Sequence, residues 1–358
     1  MNNPFAPLLV IVTACLIAAS ASAQREEGET SFRMMQYNVE NLFDTLHDAG
    51  FDDYEFLPNG SKKWDSRRYW AKQARLSRVI AAAGGASPID IVSLCEVEND
   101  SVVYDLCRKT KLHWLGYEFL MTKSSDSRGI DVALLYQPGT FKPLSHTSIR
   151  IPYAPEKERP TRDILHVSGL LQTGDTLDVF VCHWPSRRGG SAQSMRYRKR
   201  AASLLRSYAD SVRDMRQNPL EVFMGDFNDE EEDASIAVGI GAKIYKPGTT
   251  SPNPGEIYVL QPSSASSSNS IRGTYKFRGQ WNRLDHIMLS GNIFSPSSSL
   301  RYVQHSYRIF APPFLLQKSS PGGGYSIART YLGPIYKGGT SDHLPLLVDL
   351  TIGFNNQH

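Results

Sequence analysis

The chain has 358 residues, of which 41% are hydrophobic, 10% are aromatic and 21% are charged. This composition is that of an ordinary globular protein and excludes an intrinsically disordered chain. The formal net charge of +3 is mild, so it permits an anionic substrate but does not by itself indicate a nucleic-acid-binding protein.

The N-terminus has the features of an export signal. Residues 1–23 contain no charged side chain, and the apolar run LLVIVTACLIAA is shorter than the roughly 20 residues that a membrane span needs. The run leads to Ala21-Ser22-Ala23, which fits the small-x-small pattern of signal-peptidase cleavage, although no Lys or Arg precedes it. We predict a signal peptide over 1–23 and export to the periplasm, the cell surface or the medium, with no membrane span left after cleavage.

A competing interpretation takes Cys15 as the lipidated residue of a lipoprotein box. The apolar residues that follow Cys15 argue against it, because a mature lipoprotein usually continues with polar residues. Cleavage after Ala23 would leave Cys95, Cys107 and Cys182, an odd number that excludes a complete disulfide framework. Cys95 and Cys182 lie in apolar runs and are predicted to be small core residues, and no cysteine spacing indicates zinc.

Short apolar strands alternate with a few amphipathic helices along the rest of the chain. The predicted strands are 33–37, 89–95, 131–136, 177–183, 220–225, 284–289 and 344–350, and the predicted helices are 67–83, 100–111 and 191–216. Several strands are apolar on both faces, as expected where a sheet is buried between a second sheet and helices. We predict a single domain over 32–352, between a linker at 24–31 and a tail at 353–358, with surface loops at 261–273 and 318–340.

Polar side chains stand at the ends of six of these strands. Any one of them is explained by turn chemistry, but all are Asn, Asp, Glu or His, and a sheet sandwich can gather strand ends at one rim. Carboxylate and amide oxygens suit a hard divalent cation such as Mg²⁺, Mn²⁺ or Ca²⁺, and two imidazoles suit proton transfer and phosphate stabilisation. The residues are Asn38, Glu40, Glu96, His183, Asp226, Asn228, Asp285, Asp342 and His343.

The motifs that contain these residues resemble one known family. MQYNVENLFD, IVSLCEVEN, VCHWPSRRGG, VFMGDFND, RLDHIMLS and SDHLPL occur in this order over nearly all of residues 32–352. Together they are similar to the endonuclease/exonuclease/phosphatase superfamily, which includes DNase I-like nucleases, abasic-site endonucleases, inositol polyphosphate phosphatases and neutral sphingomyelinases. The resemblance implies an exported, bacterial-type member with the DNase I-like α/β fold, a four-layer sandwich of two packed, mostly antiparallel β-sheets flanked by helices.

The resemblance also implies roles for individual residues. Asn38 and Glu96 match the metal-holding positions, Asp342 would lie against the metal or a second cation, and Glu40 is equally consistent with a metal ligand and a solvated turn acid. The residues that match catalytic positions are His183, Asp226, Asn228, Asp285 and His343. His286, on the other face of its strand, is predicted to be structural.

In the implied chemistry, a divalent cation assists the attack of water on a phosphate ester, without a covalent enzyme intermediate. Asp285 would orient His343, Asn228 would donate a hydrogen bond to a phosphate oxygen, and His183 would contact the phosphate or donate a proton. Asp226 and His343 both remain candidates for the general base.

Three clusters of cations bear on the choice of substrate. The first follows His183 and includes Arg187 and Arg188, with more at the start of the helix; it indicates either a nearby anion or a solvated face balanced by Asp210 and Asp214. The second holds Lys157, Arg159 and Arg162 in a Pro-containing loop that could reach a polyanion, and the third combines Lys62, Lys63, Arg67 and Arg68 with Trp64 and Trp70. We predict Arg162, Arg187 and Arg188 as phosphate-binding residues.

The remaining alternatives concern specificity. The preferred function is an endonuclease-type nuclease or phosphodiesterase that acts on DNA or RNA, as a monomer. A phosphatase or a phospholipase C- or sphingomyelinase-like hydrolase of the same fold is the second candidate, and an inactive binding module is the third. Residues 310–316 are the one candidate for a lipid-facing loop, but core packing is the better prediction for this Pro-broken run.

Overall fold

The computed structural model describes residues 29–154, 158–187, 189–248, 250–262, 271–319 and 324–353. The predicted signal peptide, Cys15, residues 24–28 of the predicted linker and nearly all of the predicted tail lie outside these ranges. Within them, no helix is both long enough and apolar enough to cross a membrane.

The strands and helices of the described residues are listed here in chain order. The strands are β1 (Thr30–Leu42), β2 (Ile91–Val97), β3 (Glu118–Met121), β4 (Asp131–Tyr136), β5 (Phe141–Ile149), β6 (Ile164–Leu171), β7 (Thr176–His183), β8 (Leu220–Asp226), β9 (Lys243–Ile244), β10 (Ile257–Val259), β11 (Tyr275–Phe277), β12 (Gln280–Asn282), β13 (Asp285–Ser290), β14 (Leu300–Tyr302), β15 (Arg308–Ile309), β16 (Leu316–Lys318), β17 (Tyr325–Ile327), β18 (Tyr331–Leu332), β19 (Ile335–Tyr336) and β20 (Leu346–Ile352). The α-helices are α1 (Ser66–Gly84), α2 (Asp100–Arg108) and α3 (Ser191–Arg213).

Two seven-stranded sheets form the centre of the molecule. The first has the order β14-β20-β1-β2-β4-β3, with β15 also paired to β20, and the second has the order β5-β6-β7-β8-β13-β10-β9. Strand β1 is parallel to β2 and β7 is parallel to β8, whereas the other long strands pair antiparallel. The sheets are therefore mixed but mostly antiparallel, as predicted.

The helices begin and end where local chemistry places the boundaries. The side chain of Asp65 accepts a hydrogen bond from the backbone N–H of Arg68 at the start of α1, and Gly85 follows its end with φ 71°. Asn99 caps α2 in the same way, through the N–H of Val102. The predicted helices agree with these bounds to within a few residues.

Three apolar layers separate four layers of secondary structure. Alternating side chains of β1 and β2, such as Met34 and Ile91, pack between the two sheets, and the opposite faces of those strands pack on α1 and α2. The outer face of the second sheet, including Phe180 and Phe223, packs on α3. This arrangement is the four-layer sandwich expected from the resemblance, and the three free cysteines of the described chain are buried in it.

The strand register brings the polar strand ends to one rim. Asn38 is paired with Cys95, next to Glu96, and Asp226 lies opposite both His183 and Asp285. Glu96 has φ 68° at an irregularity between β2 and β4, which turns its side chain away from the regular pleat. The last strand begins at Leu346 rather than at the predicted residue 344, because the N–H of Leu344 bonds to Thr274 outside the large sheets.

Candidate active site

The buried carboxylate of Asp226 lies at the centre of the site. Its Oδ2 accepts a hydrogen bond from Nδ2 of Asn38 at 3.0 Å and lies 3.7 Å from Nε2 of His183 and 3.8 Å from Nε2 of His343. Its Oδ1 accepts the backbone N–H of Asn228 at 2.9 Å. Burial raises the pKa of Asp226, while the charge of His343 opposes the rise. A carboxyl in these surroundings is suited to exchange a proton near neutral pH.

Asp285 fixes the orientation of His343. Nδ1 of His343 lies 2.7 Å from Oδ2 of Asp285, and Gln36 donates a 3.3 Å hydrogen bond to the other oxygen of that carboxylate. Although burial opposes it, the carboxylates of Asp285 and Asp226 raise the pKa of His343 well above its ordinary value. His343 is therefore held as an imidazolium whose Nε2 points toward Asp226, and its contact with Asp285 is the predicted carboxylate–imidazole hydrogen bond.

His183 has the opposite electrostatic character. Burial, followed by the positive charges of Arg162 and Arg128, lowers the pKa of His183 well below its ordinary value. Its Nδ1 is buried without a hydrogen-bond partner, whereas Nε2 faces the carboxylates of Glu96 and Asp226 at 3.7 Å each. We infer that the neutral ring carries its proton on Nε2, because that nitrogen faces the acceptors. The two histidines are thus set as one neutral and one charged imidazole.

Glu96 offers one oxygen that protein groups do not use. Its Oε2 accepts the backbone N–H of Asn41 at 2.9 Å, whereas Oε1 has only the 3.7 Å approach of His183. The partly buried Asp342 has no hydrogen bond to its carboxylate among the described residues. Burial raises the pKa of Asp342 and the charge of Glu96 adds to the rise, so the two carboxylates repel each other. Free, mutually repelling oxygens are a fitting donor set for a divalent cation.

Glu40 has a structural role in this conformation. Its carboxylate accepts the backbone N–H groups of Thr330, at 2.6 Å, and Tyr331, at 3.0 Å. The fully buried Lys72 donates to the carbonyl of Glu40 and, at 2.9 Å, to the hydroxyl of Thr330. These bonds tie the end of β1 to the segment before Asp342. Both oxygens of Glu40 are occupied by the backbone, which favours the anchoring role over that of a metal ligand.

Asn228 is in place but partly committed to the backbone. It has φ 52° directly after β8, and its Nδ2 donates to the carbonyl of Trp184 at 3.1 Å. One N–H and the amide oxygen remain for a substrate. The left-handed backbone conformation of Asn228 is one that asparagine tolerates better than most residues.

The predicted phosphate-binding arginines differ in their surroundings. The buried Arg162 donates to the carbonyl of His183 at 3.2 Å and pairs with Asp126 at 3.2 Å, and it also lines a cleft beside the site. Arg187 donates to the carbonyl of Asn228 at 2.7 Å and pairs with Asp233 at 2.6 Å, so protein groups occupy its guanidinium. Arg188 lies outside the described residues.

The basic face predicted at the start of α3 is not solvated as a whole. Arg198 is fully buried, and its Nε lies 2.7 Å from Oδ2 of Asp229. Asp210, expected to balance this face, pairs instead with Arg206 and Arg213. The helix turns Arg198 toward the core, where Asp229 offsets its charge, so the alternative of a solvated face does not hold for this residue.

Other expectations about local packing are confirmed. His286 is buried, and its Nε2 lies 2.8 Å from the carbonyl of Asp229, as expected for a structural histidine. Leu315 is a core residue, which confirms core packing for the aliphatic run around it. Of the two tryptophans in the third cation cluster, Trp64 is buried in the core, whereas Trp70 is 38% exposed.

Three residues of the site carried no sequence signal that we recognised. Ser341 donates to the carbonyl of Asn38 at 2.7 Å and accepts the N–H of His343 at 3.0 Å. The ring of Tyr275 lies 4.8 Å from that of His343, and Gln36 supports Asp285. Gln36 could have been found as a polar residue inside an apolar strand and Ser341 as the first residue of the SDHLPL motif, but nothing in the sequence distinguishes Tyr275 from loop residues.

The described residues contain one cluster of three side chains with metal-ligating atoms within 4.8 Å of one another: Asp226, Asp285 and His343. The 2.7 Å contact between Asp285 and His343 is a hydrogen bond, which makes this cluster a proton-relay arrangement. Oε1 of Glu96 adjoins this cluster through His183, whose Nε2 lies 3.7 Å from both Glu96 and Asp226. The site thus combines an acid–base group with an oxygen donor set, as metal-assisted hydrolysis requires.

Comparisons with known proteins define the class. The sequence profile of the Endonuclease/Exonuclease/phosphatase family matches residues 33–352, so the chain belongs to that family. Its members hydrolyse phosphate esters and typically use a divalent metal, and this protein is accordingly a phosphate-ester hydrolase. A comparison with curated protein sequences gives no match.

Solved structures share the fold at low sequence identity. An endonuclease/exonuclease/phosphatase family protein from Bacteroides thetaiotaomicron is 17% identical with a TM-score of 0.56, covering 92% of this chain and 97% of its own. A mannosyl-6-phosphatase from the same organism is 16% identical with a TM-score of 0.54, covering 89% and 99%. D. rerio TDP2 complexed with a single-strand DNA product is 15% identical with a TM-score of 0.52, covering 90% and 99%. At these identities the likeness shows the fold alone.

Proposed function

We propose that the protein is an exported, divalent-metal-dependent phosphodiesterase, with nucleic acid as its first candidate substrate. The observation that carries the proposal is the position of Asp226, which contacts Asn38 and lies within 4 Å of both His183 and His343. One carboxylate is thereby shared between the predicted metal-binding side and the predicted proton-transfer side of the site.

The residues present fit a hard cation. Glu96 would hold it through Oε1, and Asp342 and Asn38, whose amide oxygen also accepts the backbone N–H of Glu40, would supply further oxygen ligands. Oxygen ligands of this kind favour Mg²⁺, Mn²⁺ or Ca²⁺. The cation supplies charge stabilisation for the phosphate as it takes up negative charge during attack.

The remaining steps are assigned to side chains of the chain itself. His343, held as an imidazolium by Asp285, donates Nε2–H to a phosphate oxygen, and neutral His183 donates its own Nε2–H nearby. Because His343 is already protonated, Asp226 is the better candidate to take the proton from the attacking water. Asn228 contributes its free N–H to a non-bridging oxygen.

A second candidate function is hydrolysis of a small phosphate ester. Of the predicted cation clusters, Arg159 and Arg162 line one open cleft of about 660 Å³, whereas Arg187 is paired with Asp233. A cleft of this size accommodates a sugar or a short nucleotide as well as part of a strand. One of the structural neighbours is a mannosyl-6-phosphatase, so the same fold is used to hydrolyse a small phosphate ester.

A substrate panel separates the candidates. Purified protein without residues 1–23 is incubated with plasmid DNA, RNA, bis-p-nitrophenyl phosphate, p-nitrophenyl phosphate and a phospholipid, with Mg²⁺ or with EDTA. We expect cleavage of DNA or RNA and of the diester, all abolished by EDTA. Turnover of the monoester with intact nucleic acid would move the assignment to a phosphatase, and release of a lipid headgroup would move it to a phospholipase.

Two histidine variants control the panel. His343→Ala removes the proposed phosphate-binding imidazolium and should lower kcat at least ~100-fold. His146→Ala replaces an exposed histidine on β5 and should leave the rate unchanged. Equal activity of the two variants would contradict the proposal, and failure of every substrate with every divalent cation would favour a binding module.

A further inference from the structure

An open cleft of about 660 Å³ lies directly beside the active site. Two of its lining residues connect it to catalytic groups: Asn41, whose N–H donates to Glu96, and Arg162, whose Nε donates to the carbonyl of His183. Arg128 also lines the cleft. Burial lowers the pKa of His183 most, and the positive charges of Arg162 and Arg128 lower it further. The cleft is therefore open to the part of a substrate that continues from a phosphate bound between Glu96 and His343.

Among the described residues, the cleft has more cations than carboxylates. Five basic and three acidic residues of the described part of the chain line it: Lys62, Arg128, Arg159, Arg162, Arg200, Glu55, Asp126 and Glu158. Arg200 is bidentate on Glu158, at 2.6 and 3.2 Å, and Arg162 pairs with Asp126 at 3.2 Å. Arg200 and Arg162 are thus held by carboxylates of the protein and have a structural role in the cleft.

Two arginines remain available to a ligand. Nε of Arg128 lies 3.4 Å from Asp126, a carboxylate that Arg162 already shares, and the side chain of Arg128 is 39% exposed. Arg159 is exposed and has no ion pair or hydrogen bond with any described residue. Guanidinium groups in this state favour a phosphate, which each can bind through two N–H donors.

The rest of the lining suits an organic spacer between two phosphates. Tyr153 and Tyr197 are half-buried in the cleft, and Ile151 and Pro185 supply apolar surface. Aromatic and proline side chains of this kind accept the face of a base or a sugar.

We propose that Arg128 and Arg159 bind a second phosphate group of the substrate, one that is not hydrolysed. This inference rests on the proposed function, since it needs the reacting phosphate at the neighbouring catalytic centre. The second phosphate is either the next phosphate of a nucleic-acid strand or the second phosphate of a small bisphosphate. In both cases the enzyme prefers substrates with two phosphates over matched substrates with one.

The test compares matched pairs of substrates. One pair is thymidylyl-thymidine with and without a terminal phosphate, and the other is glucose 1,6-bisphosphate and glucose 6-phosphate. We expect wild-type kcat/KM to be higher for the two-phosphate member of at least one pair. Arg159→Gln should reduce that preference ~10-fold, because one charge-assisted contact is lost. The pair that shows the effect identifies the source of the second phosphate.

Arg150→Gln is the matched control, since Arg150 is also an exposed arginine but is not one of the residues that line the cleft. It should leave the preference unchanged, and unfolding temperatures of both variants verify that they are folded. If the substrates are hydrolysed but no preference exists, or Arg159→Gln leaves it intact, the second-phosphate site is refuted while the proposed function stands. If none of them, nor bis-p-nitrophenyl phosphate, is hydrolysed with Mg²⁺, the proposed function itself fails.

Discussion

His343 and His183 show how the same side chain acquires opposite properties from its neighbours. Both are buried, and burial alone disfavours a charged imidazole. His343 has two carboxylates, Asp285 and Asp226, that more than compensate, whereas His183 has the cations Arg162 and Arg128 nearby. The sequence indicates that both imidazoles belong to the site, but it does not reveal which one carries the charge, because the deciding neighbours come from distant segments.

Replacing Asp285 tests this account of His343. The folded pKa of His343 is raised, so its imidazolium form is present below that pKa and is lost as the pH rises through it. Asp285→Asn removes the hydrogen-bonded charge, and the alkaline limb of the kcat/KM profile should move down by roughly one to three pH units. Asp349→Asn, which alters an ion pair far from the site, should leave the limb in place. An unmoved limb in Asp285→Asn would show that His343 is not the titrating group.

At the scale of the elements, the close contact of β7 and β8 positions His183 and Asp226. Gly225 has φ 153°, and a Cβ built on it would lie 2.0 Å from the carbonyl oxygen of Cys182. Only glycine fits where the backbones of these paired parallel strands approach this closely. The GDFND motif therefore contains a packing requirement as well as catalytic residues.

Gly225→Ala should consequently destabilise the sheet and not only the site. We expect the free energy of unfolding, measured with urea, to fall by at least about 2 kcal/mol. Gly139→Ala is the matched substitution, since no atom lies within 4 Å of the added Cβ, and it should change the stability by less than about 0.5 kcal/mol. Equal stabilities of the two variants would refute the packing argument.

A second element-level feature is the buried polar network around Asp178. Burial opposes its ionisation, but hydrogen bonds from His166, Arg216 and Ser168 lower the pKa of Asp178 to about 2. A depressed carboxylate pKa contributes stability that is present above the unfolded value and is lost as the pH falls toward the folded one. Asp178→Asn should cost about 2 kcal/mol at pH 6, and the difference from wild type should shrink between about pH 4 and pH 2. A difference that is constant over this range would contradict the assignment.

At the scale of the whole molecule, the sequence predicts more of the site than of its surroundings. Strand ends carry Asn38, Glu96, His183, Asp226 and Asp285, and apolar strand patterns locate them because a sandwich gathers such ends at one rim. The pattern works here because each of these residues lies at the end of a mostly apolar strand.

Features that depend on distant partners were not predictable in this way. Strand β6 was not predicted, because His166 and Ser168 interrupt its apolar pattern. In the structure both side chains form hydrogen bonds with Asp178. Likewise, the sequence does not show that Arg198 is buried, because its partner Asp229 lies in a distant segment of the chain. Pairing of buried charges is a property of the tertiary structure, and local sequence does not contain it.

The most direct test of the account is the Mg²⁺ dependence of phosphodiester hydrolysis in Glu96→Gln. Glu96 is the one carboxylate of the site with a free oxygen and a backbone anchor, so its loss should raise the Mg²⁺ concentration for half-maximal activity roughly 10-fold or more and lower the maximal rate. Glu118→Gln, a substitution at an exposed position of β3, should behave as wild type. Hydrolysis of bis-p-nitrophenyl phosphate by Glu96→Gln with a wild-type rate and Mg²⁺ dependence would contradict the account.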